Sequence, residues 1–414
     1  MKYDVIIIGA GAAGLFCGAN LDLKNKKGLI LDKSSKPGLK LLVSGSGQCN
    51  FTHGGDIRDF VDKYGDNGKK IRGILYKFSN EKVVEYFQNR GLKTIEREDG
   101  KVFPQSLRAE DVRALLINEI KNNGFEIKTQ EVVIDIRKIQ GPDSHLYEVR
   151  TEVGGKERVY TADNVVVSAG GISYPKTGSD GSIFKAMESL EGIEIVPLRP
   201  SLVPIYVEGY GYSNLSGIAI RNVEISLDTE EKKKRKSRMG DLLFTHKNLS
   251  GPAIIDFSRY LNQGDRFKIN YIPQGFKSGE SLKAQGINKS LGNYLLEETN
   301  LPKAFIQEII NKVEGITWDD KTASVSGGKI KELQALLTGE VFIVNGKAGL
   351  DKAMATAGGV ALSEISTKTM ESKKHPGLFF CGEVLDVDGD TGGYNIQFAF
   401  SSGYLAAQHI SQLP

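Results

Sequence analysis

Three glycines near the N-terminus have the spacing of a turn that holds phosphate groups. They are Gly9, Gly11 and Gly14, and they follow four consecutive β-branched residues at positions 5–8. Such a run is typical of a strand buried on both faces, and the glycines begin where the strand would turn into a helix. Gly9 would allow the tight turn, Gly11 would leave room for a pyrophosphate, and Gly14 would let the helix pack closely on the sheet.

An acid follows this turn at the distance expected for a dinucleotide site. Asp32 ends a short apolar run at positions 28–31, about twenty residues after the glycines. Its carboxylate would accept hydrogen bonds from ribose hydroxyls and repel a 2′-phosphate, which favours FAD or NAD over NADP. Ala12 and Ala13 would open the helix that points at the phosphates, and Lys33 follows the acid. We therefore predict a cofactor site rather than an ordinary glycine-rich turn.

The composition is that of a water-soluble globular protein with more than one core. The 414 residues, 40% of them hydrophobic and 25% charged, predict roughly two or three domains. A net charge of +3 decides little about partners. The sequence shows no apolar stretch of about twenty residues and no signal peptide, so we expect a cytoplasmic protein without membrane contact. Three separated cysteines and five scattered histidines predict neither a disulfide framework nor a metal site.

A second cluster of glycines and polar residues spans positions 40–53. It contains Lys40, Ser44, Gly45, Gly47, Cys49 and Asn50. Such a cluster fits either a flexible surface loop or a backbone that lies against a cofactor. It resembles the motif Lys-x-Leu-x-Ser-Gly-Gly-Gly-Arg-Cys-Asn-x-Thr of the BaiN-like (YhiN-like) family of FAD/NAD(P)-dependent oxidoreductases, which are aminoacetone oxidase-like flavoproteins. Two residues depart from it, because Ser46 replaces a glycine and Gln48 replaces the arginine.

Further segments resemble the same family along essentially the whole chain. Positions 164–171 form an apolar run ending in Ala169, Gly170 and Gly171, and positions 173–181 follow the pattern Ser-Tyr-Pro-x-Thr-Gly-Ser-x-Gly at every specified position. Positions 242–253 resemble Leu-Leu-Phe-Thr-His-x-Gly-x-Ser-Gly-Pro-Ala. The C-terminal part, positions 369–397, matches most closely, with Thr-Met-Glu-Ser-Lys, a Gly-Glu-x-Leu-Asp turn and Gly-Gly-Tyr-Asn-x-Gln.

The resemblance implies tightly bound FAD. In this architecture Glu383 would hold the ribityl chain or a pyrophosphate water, and the last helix would point its N-terminus at the pyrimidine edge of the flavin. The strand at Val133 would meet the adenine, although plain sheet packing explains its alternation equally well. The predicted cofactor-binding residues are Gly9, Gly11, Ala12, Ala13, Gly14, Asp32, Lys33, Lys40, Ser44, Gly45, Gly47, Cys49, Asn50, Val133, Ala169, Gly170, Gly171, Gly382, Glu383, Asp386, Gly393, Tyr394, Asn395 and Gln397.

The order of elements predicts a mixed α/β fold. We expect a Rossmann-like FAD-binding domain with a central parallel sheet, formed by residues 1–197 and 347–414. Short strands predict a β-barrel-like domain at residues 198–272 and 339–346, and apolar residues at helical spacing predict a helical insert at residues 273–338. Positions 355–360 are expected to form a glycine turn.

Two features of the middle region could carry chemistry. His246 could donate a proton because histidine titrates near neutrality, although a capping or core histidine is the more common case. Residues 232–238, from Lys232 to Arg238, form the strongest basic run and could touch RNA or an acidic surface. No aromatic residue interrupts the run, and two acids precede it, which favours a solvated hairpin tip.

These observations lead to one leading hypothesis and two alternatives. The leading one is an oxidoreductase in which FAD passes a hydride from NAD(P)H to a small organic acceptor, for which an unsaturated carbonyl compound is one candidate. NAD(P)H would dock transiently, because the sequence shows no second Gly-x-Gly-x-x-Gly after a strand. The alternatives are a flavin-dependent RNA-modifying or RNA-binding protein, with nucleic acid the less expected partner, and a non-enzymatic flavin-bound redox sensor. The sequence leaves the oligomeric state open.

Overall fold

The computed structural model describes residues 1–23, 26–141, 144–229, 236–275 and 289–413. It separates into two compact units. The first contains residues 1–201 and 353–414, and the second contains residues 202–352. The predicted borders at residues 197, 272, 338 and 346 stay predictions.

The strands are β1 Lys2–Ile8, β2 Gly28–Leu31, β3 Thr52–His53, β4 Thr94–Glu96, β5 Lys101–Pro104, β6 Phe125–Lys128, β7 Val132–Gly141, β8 Ser144–Val153, β9 Lys156–Val167, β10 Ile195–Ser201, β11 Ile205–Val207, β12 Ala219–Leu227, β13 Ser237–Phe244, β14 Leu249–Ser250, β15 Arg266–Asn270, β16 Glu340–Lys347, β17 Ala355–Val360 and β18 Leu378–Phe380. The helices are α1 Ala12–Asn20, α2 Leu39–Val43, α3 Gly68–Lys77, α4 Asn80–Gln88, α5 Ala109–Asn122, α6 Ser182–Ala186, α7 Pro252–Phe257, α8 Leu291–Thr299, α9 Lys303–Asn311, α10 Gly327–Gly339 and α11 Tyr394–Gln412.

The first unit is built on a seven-stranded sheet with the order β6-β2-β1-β9-β8-β7, in which β18 also pairs with β9. Strands β6, β2, β1, β9 and β18 are parallel, while β7 and β8 extend the sheet as antiparallel strands. The residues at positions 5–8 are almost fully buried, as expected for a central parallel strand. The predicted Rossmann-like sheet is confirmed, and the carboxyl ends of its strands carry the predicted site.

Helices α1 and α11 pack closely beside this sheet. A Cβ built on Gly403 of α11 would lie 2.6 Å from the carbonyl oxygen of Ala13 in α1. The absence of a side chain at Gly403 therefore lets α11 pack directly against α1, although the two helices are far apart in the sequence.

A small three-stranded sheet, β3-β5-β4, lies in the same unit and holds the polar loop at positions 44–53. Thr52 pairs with Val102, and Ile95 pairs with Phe103. Strand β4 is a short strand at one edge of this sheet. Its three residues are too few and too exposed to show a strand periodicity.

The expectation of a glycine turn at positions 355–360 is wrong. These residues form β17, which is buried along its whole length and pairs antiparallel with β10. Small residues are required here because other chain segments approach very closely. A Cβ on Gly358 would collide with the carbonyl of Pro197, and one on Gly359 with the carbonyl of Val384.

The second unit contains a closed barrel with the strand order β11-β14-β13-β12-β15-β16, which confirms the predicted barrel. Helices α8, α9 and α10 belong to the same unit, and the predicted apolar stripe of α9 is buried at Phe305, Ile306, Ile309 and Ile310. A buried polar cluster lies among them. Tyr212 and Tyr271 donate hydrogen bonds to the carboxylate of Glu340, and the ammonium of Lys312 contacts Tyr212 and Glu340.

Candidate functional site

The glycine turn has the geometry that its sequence predicts. Gly9 follows β1 with φ +98°, and a Cβ there would lie 2.6 Å from the Cα of Ala169. A Cβ on Gly14 would overlap the carbonyl oxygen of Gly9. Gly11 is different, because a Cβ built on it meets no atom of the described residues within 4 Å. Gly9 and Gly14 thus shape the turn, whereas Gly11 faces open space of the kind a pyrophosphate would fill.

Asp32 stabilises this turn through both of its carboxylate oxygens. One carboxylate oxygen accepts a hydrogen bond from the N–H of Ala10 at 2.6 Å, and the other accepts one from the N–H of Ser34 at 2.7 Å. Burial raises the pKa of Asp32, and these N–H groups counteract part of the rise. The carboxylate has spare lone pairs for hydroxyl donors, which would favour its ionised form.

The neighbours of Asp32 include two further predicted residues. The chain enters β7 beside it, because the N–H of Glu131 donates to the carbonyl of Asp32. Val133 is therefore near this end of the sheet and is 8% exposed. The Lys33 side chain forms an ion pair with Asp180 and a hydrogen bond with Ser182. In this structure Lys33 ties the strand to the loop before α6.

Lys40 and Glu383 form the centre of a polar network, although 343 positions separate them. The Lys40 ammonium donates to Glu383 and to the hydroxyl of Ser173 at 2.6 Å. Ser173 donates to the other carboxylate oxygen of Glu383 at 2.7 Å, and the N–H of Thr356 donates to that same oxygen. Both charged side chains are partly exposed, at 26% and 19%, so the network borders open space.

Ser173 and Thr356 are missing from the predicted set. The Thr356 hydroxyl accepts hydrogen bonds from the N–H groups of Ile172 and Ser173, and so fixes the loop after Gly171. A Cβ on Gly171 would collide with the Thr356 side chain. Ser173 stands in one of the family-like segments, which is a signal that could have identified it. Thr356 lies in the segment wrongly interpreted as a turn.

The loop at positions 44–50 leaves a buried polar atom without a partner. Asn50 is 8% exposed, and its Oδ1 has no hydrogen-bond partner among the described residues. Gly45 has φ +53°, and a Cβ there would lie 2.8 Å from the Asn50 nitrogen. The Ser44 hydroxyl donates to the carbonyl of Leu41. A buried acceptor of this kind is usually satisfied, so Asn50 fits a site for a ligand with a hydrogen-bond donor.

Two other members of that loop have more limited roles. Cys49 is fully buried, and burial raises the pKa of its thiol to about 12, so the thiol is neutral at ordinary pH. Gly47 has φ +85°, which keeps the loop in a left-handed conformation before Gln48.

The N-terminus of α11 meets this loop. A Cβ on its N-cap residue, Gly393, would lie 2.5 Å from the carbonyl oxygen of Thr52. The Asn395 amide accepts from the N–H of Gly389 and donates to its carbonyl, which fixes the approach to the helix. Gln397 is buried and bonds Thr52 and the carbonyl of Phe78. Gly393 has no side chain to cap the helix, and the predicted role of this helix end in binding a cofactor stays a prediction.

The remaining C-terminal residues support the turn that precedes α11. The N–H of Gly358 donates to the carboxylate of Asp386 at 2.9 Å, and the Asn67 amide donates to the carbonyl of Asp386 at 2.7 Å. A Cβ on Gly382 would lie 2.7 Å from the Cβ of Ala13. Tyr394 stacks on His53, with ring centroids 5.2 Å apart.

The turn after β9 contains a further residue that sequence reasoning missed. Ser179 is 5% exposed, and its hydroxyl has no partner among the described residues. A Cβ on Gly170 would lie 2.5 Å from that hydroxyl. The Ser168 hydroxyl, before Ala169, donates to the carbonyls of Ile8 and Gly9. Ser179 therefore offers a buried hydroxyl without a partner among the described residues, directly beside Gly170.

His246 belongs to the second unit and is exposed in the turn between β13 and β14. Its role as a proton donor stays a prediction. Of the basic run, Lys236 lies 5.1 Å from the ring centroid of Tyr260, while residues 230–235 lie outside the described part of the chain.

The first unit thus contains predicted residues from seven separate stretches of the sequence, and they fit FAD. The open space at Gly11, the buried Asn50 acceptor and the uncapped helix end are each suited to a different part of the cofactor. The assignment of individual contacts stays a prediction.

Comparison with known proteins identifies the relatives of this chain. The model of the HI0933-like protein Rossmann domain matches residues 3–409. The chain belongs to the HI0933-like family. Its members are FAD-dependent oxidoreductases, which agrees with the family resemblance of the motifs and makes this chain such an enzyme. Across the described residues, no helix is both long and apolar enough to cross a membrane.

Relatives of this HI0933-like protein carry two kinds of name. The chain is 34% identical to a ribosomal RNA dihydrouridine synthase of Haemophilus influenzae, over 98% of both chains. It is 30% identical to a ribosomal RNA dihydrouridine synthase of Escherichia coli, over 99% of this chain and 98% of the relative. It is 26% identical to a 3-dehydro-bile acid delta(4,6)-reductase of Clostridium scindens, over 99% of both.

A solved structure shares the fold of this HI0933-like protein. A 3-ketosteroid-delta4-(5alpha)-dehydrogenase from Rhodococcus jostii aligns with a TM-score of 0.51 and 13% identity, over 98% of this chain and 97% of that chain. This likeness concerns the fold alone.

Proposed function

We propose that this protein reduces the double bond between carbons 5 and 6 of a uracil base in RNA, with NAD(P)H as the electron donor. The observation that carries the proposal is the 34% identity, over 98% of both chains, to a protein named as a ribosomal RNA dihydrouridine synthase. A second relative with that name is 30% identical over its length. This proposal gives nucleic acid more weight than the sequence alone does.

The two kinds of relative have one reaction type in common. In uracil the reduced double bond is conjugated with a ring carbonyl, and a delta(4,6)-reductase also acts on a double bond in conjugation with a carbonyl. Each reduction adds a hydride to a carbon of the conjugated system and a proton to another, while NAD(P)H is oxidised to NAD(P)⁺. When bound, FAD supplies hydride transfer between the nicotinamide and the substrate.

The residues of the first unit would hold the cofactor in two halves. The turn at Gly11 and the carboxylate of Asp32 would hold the adenosine diphosphate half. Lys40, Asn50 and the N-terminus of α11 would hold the flavin half. The positive helix end would favour negative charge at that end of the site, whereas the Lys40 ammonium is already paired with the Glu383 carboxylate.

NAD(P)H would bind transiently rather than in a domain of its own. The sequence contains the Gly-x-Gly-x-x-Gly fingerprint at Gly9, Gly11 and Gly14, and no second copy after a strand. The donor and the RNA would then occupy the flavin face in turn, which predicts ping-pong kinetics.

A second candidate substrate is a steroid-like enone. The Clostridium scindens relative supports it, because its name specifies reduction of a bile acid, and it matches this chain over 99% of both lengths. Its lower identity, 26%, makes it the second choice.

The test uses the purified holoprotein with ribosomal RNA from a strain that lacks the gene. After anaerobic incubation with NADH or NADPH, nucleoside mass spectrometry should detect a uridine that has gained two hydrogen atoms. The Gly11→Val variant is the matched control, because it keeps the RNA-facing surface but should lack FAD. If the RNA gains no hydrogen while a conjugated steroid enone is reduced, the second candidate replaces the first.

A further inference from the structure

Arg97 occupies an unusual environment in the hairpin between β4 and β5. Its guanidinium donates a hydrogen bond to the side-chain oxygen of Gln48 at 2.6 Å. It also stacks on the ring of Phe103, with 4.1 Å from the guanidinium carbon to the ring centroid. Phe103 is buried, whereas Arg97 is exposed, so one face of the guanidinium is packed and its remaining donors point to solvent.

The partner of Arg97 is neutral even though acids surround it in the sequence. Glu96, Glu98 and Asp99 are its neighbours, yet Asp99 pairs with Lys101. Across the described residues, Arg97 forms no ion pair with a carboxylate within 4.0 Å. The hydrogen bond from Lys101 and, to a smaller extent, the charge of Arg97 lower the pKa of Asp99, but the groups in direct contact with the guanidinium, Gln48 and Phe103, are both neutral.

Position 48 is where this chain departs from the related motif. The motif carries arginine there, and this chain carries Gln48. In the structure the amide of Gln48 holds the guanidinium of Arg97, which arrives from a hairpin 49 positions away. A guanidinium thus stands next to the loop at positions 44–50, although the loop itself no longer provides it.

The same hairpin reaches the flavin end of the predicted site. Gly100 packs against the ring of His53, and a Cβ at Gly100 would collide with that ring. His53 in turn stacks on Tyr394 in the first turn of α11. Arg97 is accordingly placed at the rim of the site rather than on a remote surface.

We propose that Arg97, positioned by Gln48 and Phe103, binds a backbone phosphate of the RNA substrate. This inference rests on the proposed function. Planar guanidinium groups bind phosphate oxygens in a bidentate manner, and a stacked guanidinium loses little side-chain entropy when it does so. Arg97 of the hairpin would thus supply, beside the loop, the guanidinium that the related motif carries at position 48.

The experiment compares four holoproteins, namely the wild type, Arg97→Gln, the double variant Gln48→Arg with Arg97→Gln, and the control Arg137→Gln. Arg137 is an exposed arginine on the edge strand β7 that pairs with Asp135. A uridine-containing fragment of ribosomal RNA serves as the probe for both steady-state reduction and binding by fluorescence anisotropy at several salt concentrations. FAD content and the rate of flavin reduction by NAD(P)H are measured in parallel.

Arg97→Gln should raise KM for the RNA about tenfold, the size expected for the loss of one charged hydrogen bond, and should leave kcat within about twofold. The slope of log binding constant against log salt should become shallower by about one. The double variant should recover most of the lost affinity, and Arg137→Gln should behave as the wild type.

Two results separate the inference from the proposed function. If the wild type reduces the RNA and Arg97→Gln has the same KM and salt slope, Arg97 does not bind phosphate and only this inference is wrong. If the double variant binds the RNA as weakly as Arg97→Gln does, an arginine at position 48 cannot replace Arg97, and this part of the inference is wrong. If the wild type neither binds nor reduces the RNA, the proposed function is wrong, and the inference fails with it.

Discussion

At the scale of single residues, three glycines of one turn have different physical roles. Gly9 and Gly14 are required by the protein itself, because added atoms would collide with Ala169 and with Gly9. Gly11 has no such neighbour among the described residues. Substitutions at Gly9 or Gly14 should therefore affect folding, whereas a substitution at Gly11 should affect cofactor binding.

Gly11→Val should fold normally and contain almost no FAD, because the valine side chain would occupy the space predicted for the pyrophosphate. Gly14→Ala should instead reduce the free energy of unfolding, because its Cβ overlaps the Gly9 carbonyl. Flavin absorbance per protein and thermal unfolding measure the two effects. Full flavin content in Gly11→Val would overturn the placement of the phosphates.

The raised pKa of Asp32 predicts how FAD affinity depends on pH. Burial raises the pKa above the ordinary value of 3.8, so the apoprotein takes up a proton here as the pH falls through that raised value. At low pH the protonated Asp32 adds to the free energy of unfolding of the apoprotein. This contribution is lost as the pH rises through the pKa that Asp32 has in the folded state. Ribose hydroxyls would bind the ionised carboxylate, so FAD binding should weaken as the pH falls through the same value.

Titration of the apoprotein with FAD at a series of pH values from acid to neutral tests this dependence, since the pKa of Asp32 is raised above its ordinary value. Asp32→Ala should weaken FAD binding by about 1.5 to 3 kcal/mol at neutral pH, because it removes hydrogen bonds to a charged acceptor. The variant should also lose the part of the pH dependence that Asp32 causes. An unchanged pH profile in Asp32→Ala would show that another group is responsible.

At the scale of elements, a buried polar cluster joins the helices of the second unit to its barrel. Lys312 follows α9, Glu340 opens β16, and Tyr271 follows β15. Burial and the Glu340 carboxylate raise the pKa of Tyr212, so its hydroxyl stays protonated and donates to that carboxylate. The carboxylate thereby satisfies three side chains from separate segments, Tyr212, Tyr271 and Lys312.

Glu340→Ala should lower the free energy of unfolding of the second unit by about 3 kcal/mol, because it leaves buried donors and a partly buried ammonium without their acceptor. Trp318, the only tryptophan in the sequence, lies in this unit, so its fluorescence during urea unfolding reports the change. Glu208→Ala, which removes an exposed carboxylate of the same unit, should change the free energy by less than about 0.5 kcal/mol. Equal effects would mean that the cluster adds no stability.

At the scale of the whole molecule, the N-terminal and C-terminal stretches of the chain meet in one unit and could enclose a single cofactor. The glycine turn at Gly9 to Gly14 follows β1 and the turn at Gly382 follows β18, so both lie at the carboxyl ends of parallel strands of one sheet, although they come from opposite ends of the sequence. This arrangement is suited to a dinucleotide with two distinct halves. Either turn alone would suffice for a mononucleotide.

The purified protein should be yellow and release FAD on heating. Anaerobic mixing with NADH and with NADPH should bleach the flavin absorbance at a rate compatible with turnover, and the faster reaction identifies the donor. The Gly11→Val protein provides the colourless control. If neither nucleotide bleaches the flavin, another reductant supplies the electrons and the NAD(P)H part of the proposal is wrong.

The sequence by itself determined the features that depend on neighbouring residues. A buried strand, three glycines and an acid are local in the chain, so a dinucleotide site on a Rossmann-like sheet could be predicted from them, while the FAD-dependent family was predicted from the resemblance of the loop at positions 40–53 and of the C-terminal motifs. The apolar stripe of α9 was equally visible, because helical spacing is a local property. The loop at positions 44–50 was recognised from its motif, although the motif alone did not show what Gln48 contacts.

Only the tertiary structure decided which distant residues meet. Lys40 reaches Ser173 and Glu383 across 133 and 343 positions, and Arg97 reaches Gln48 across 49. Strand β17 was mistaken for a turn because its glycines are required by close contact with Pro197 and Val384, which no local pattern reveals. Side-chain partners that are remote in sequence depend on the packing of the sheet and helices between them, and that packing is a property of the folded chain.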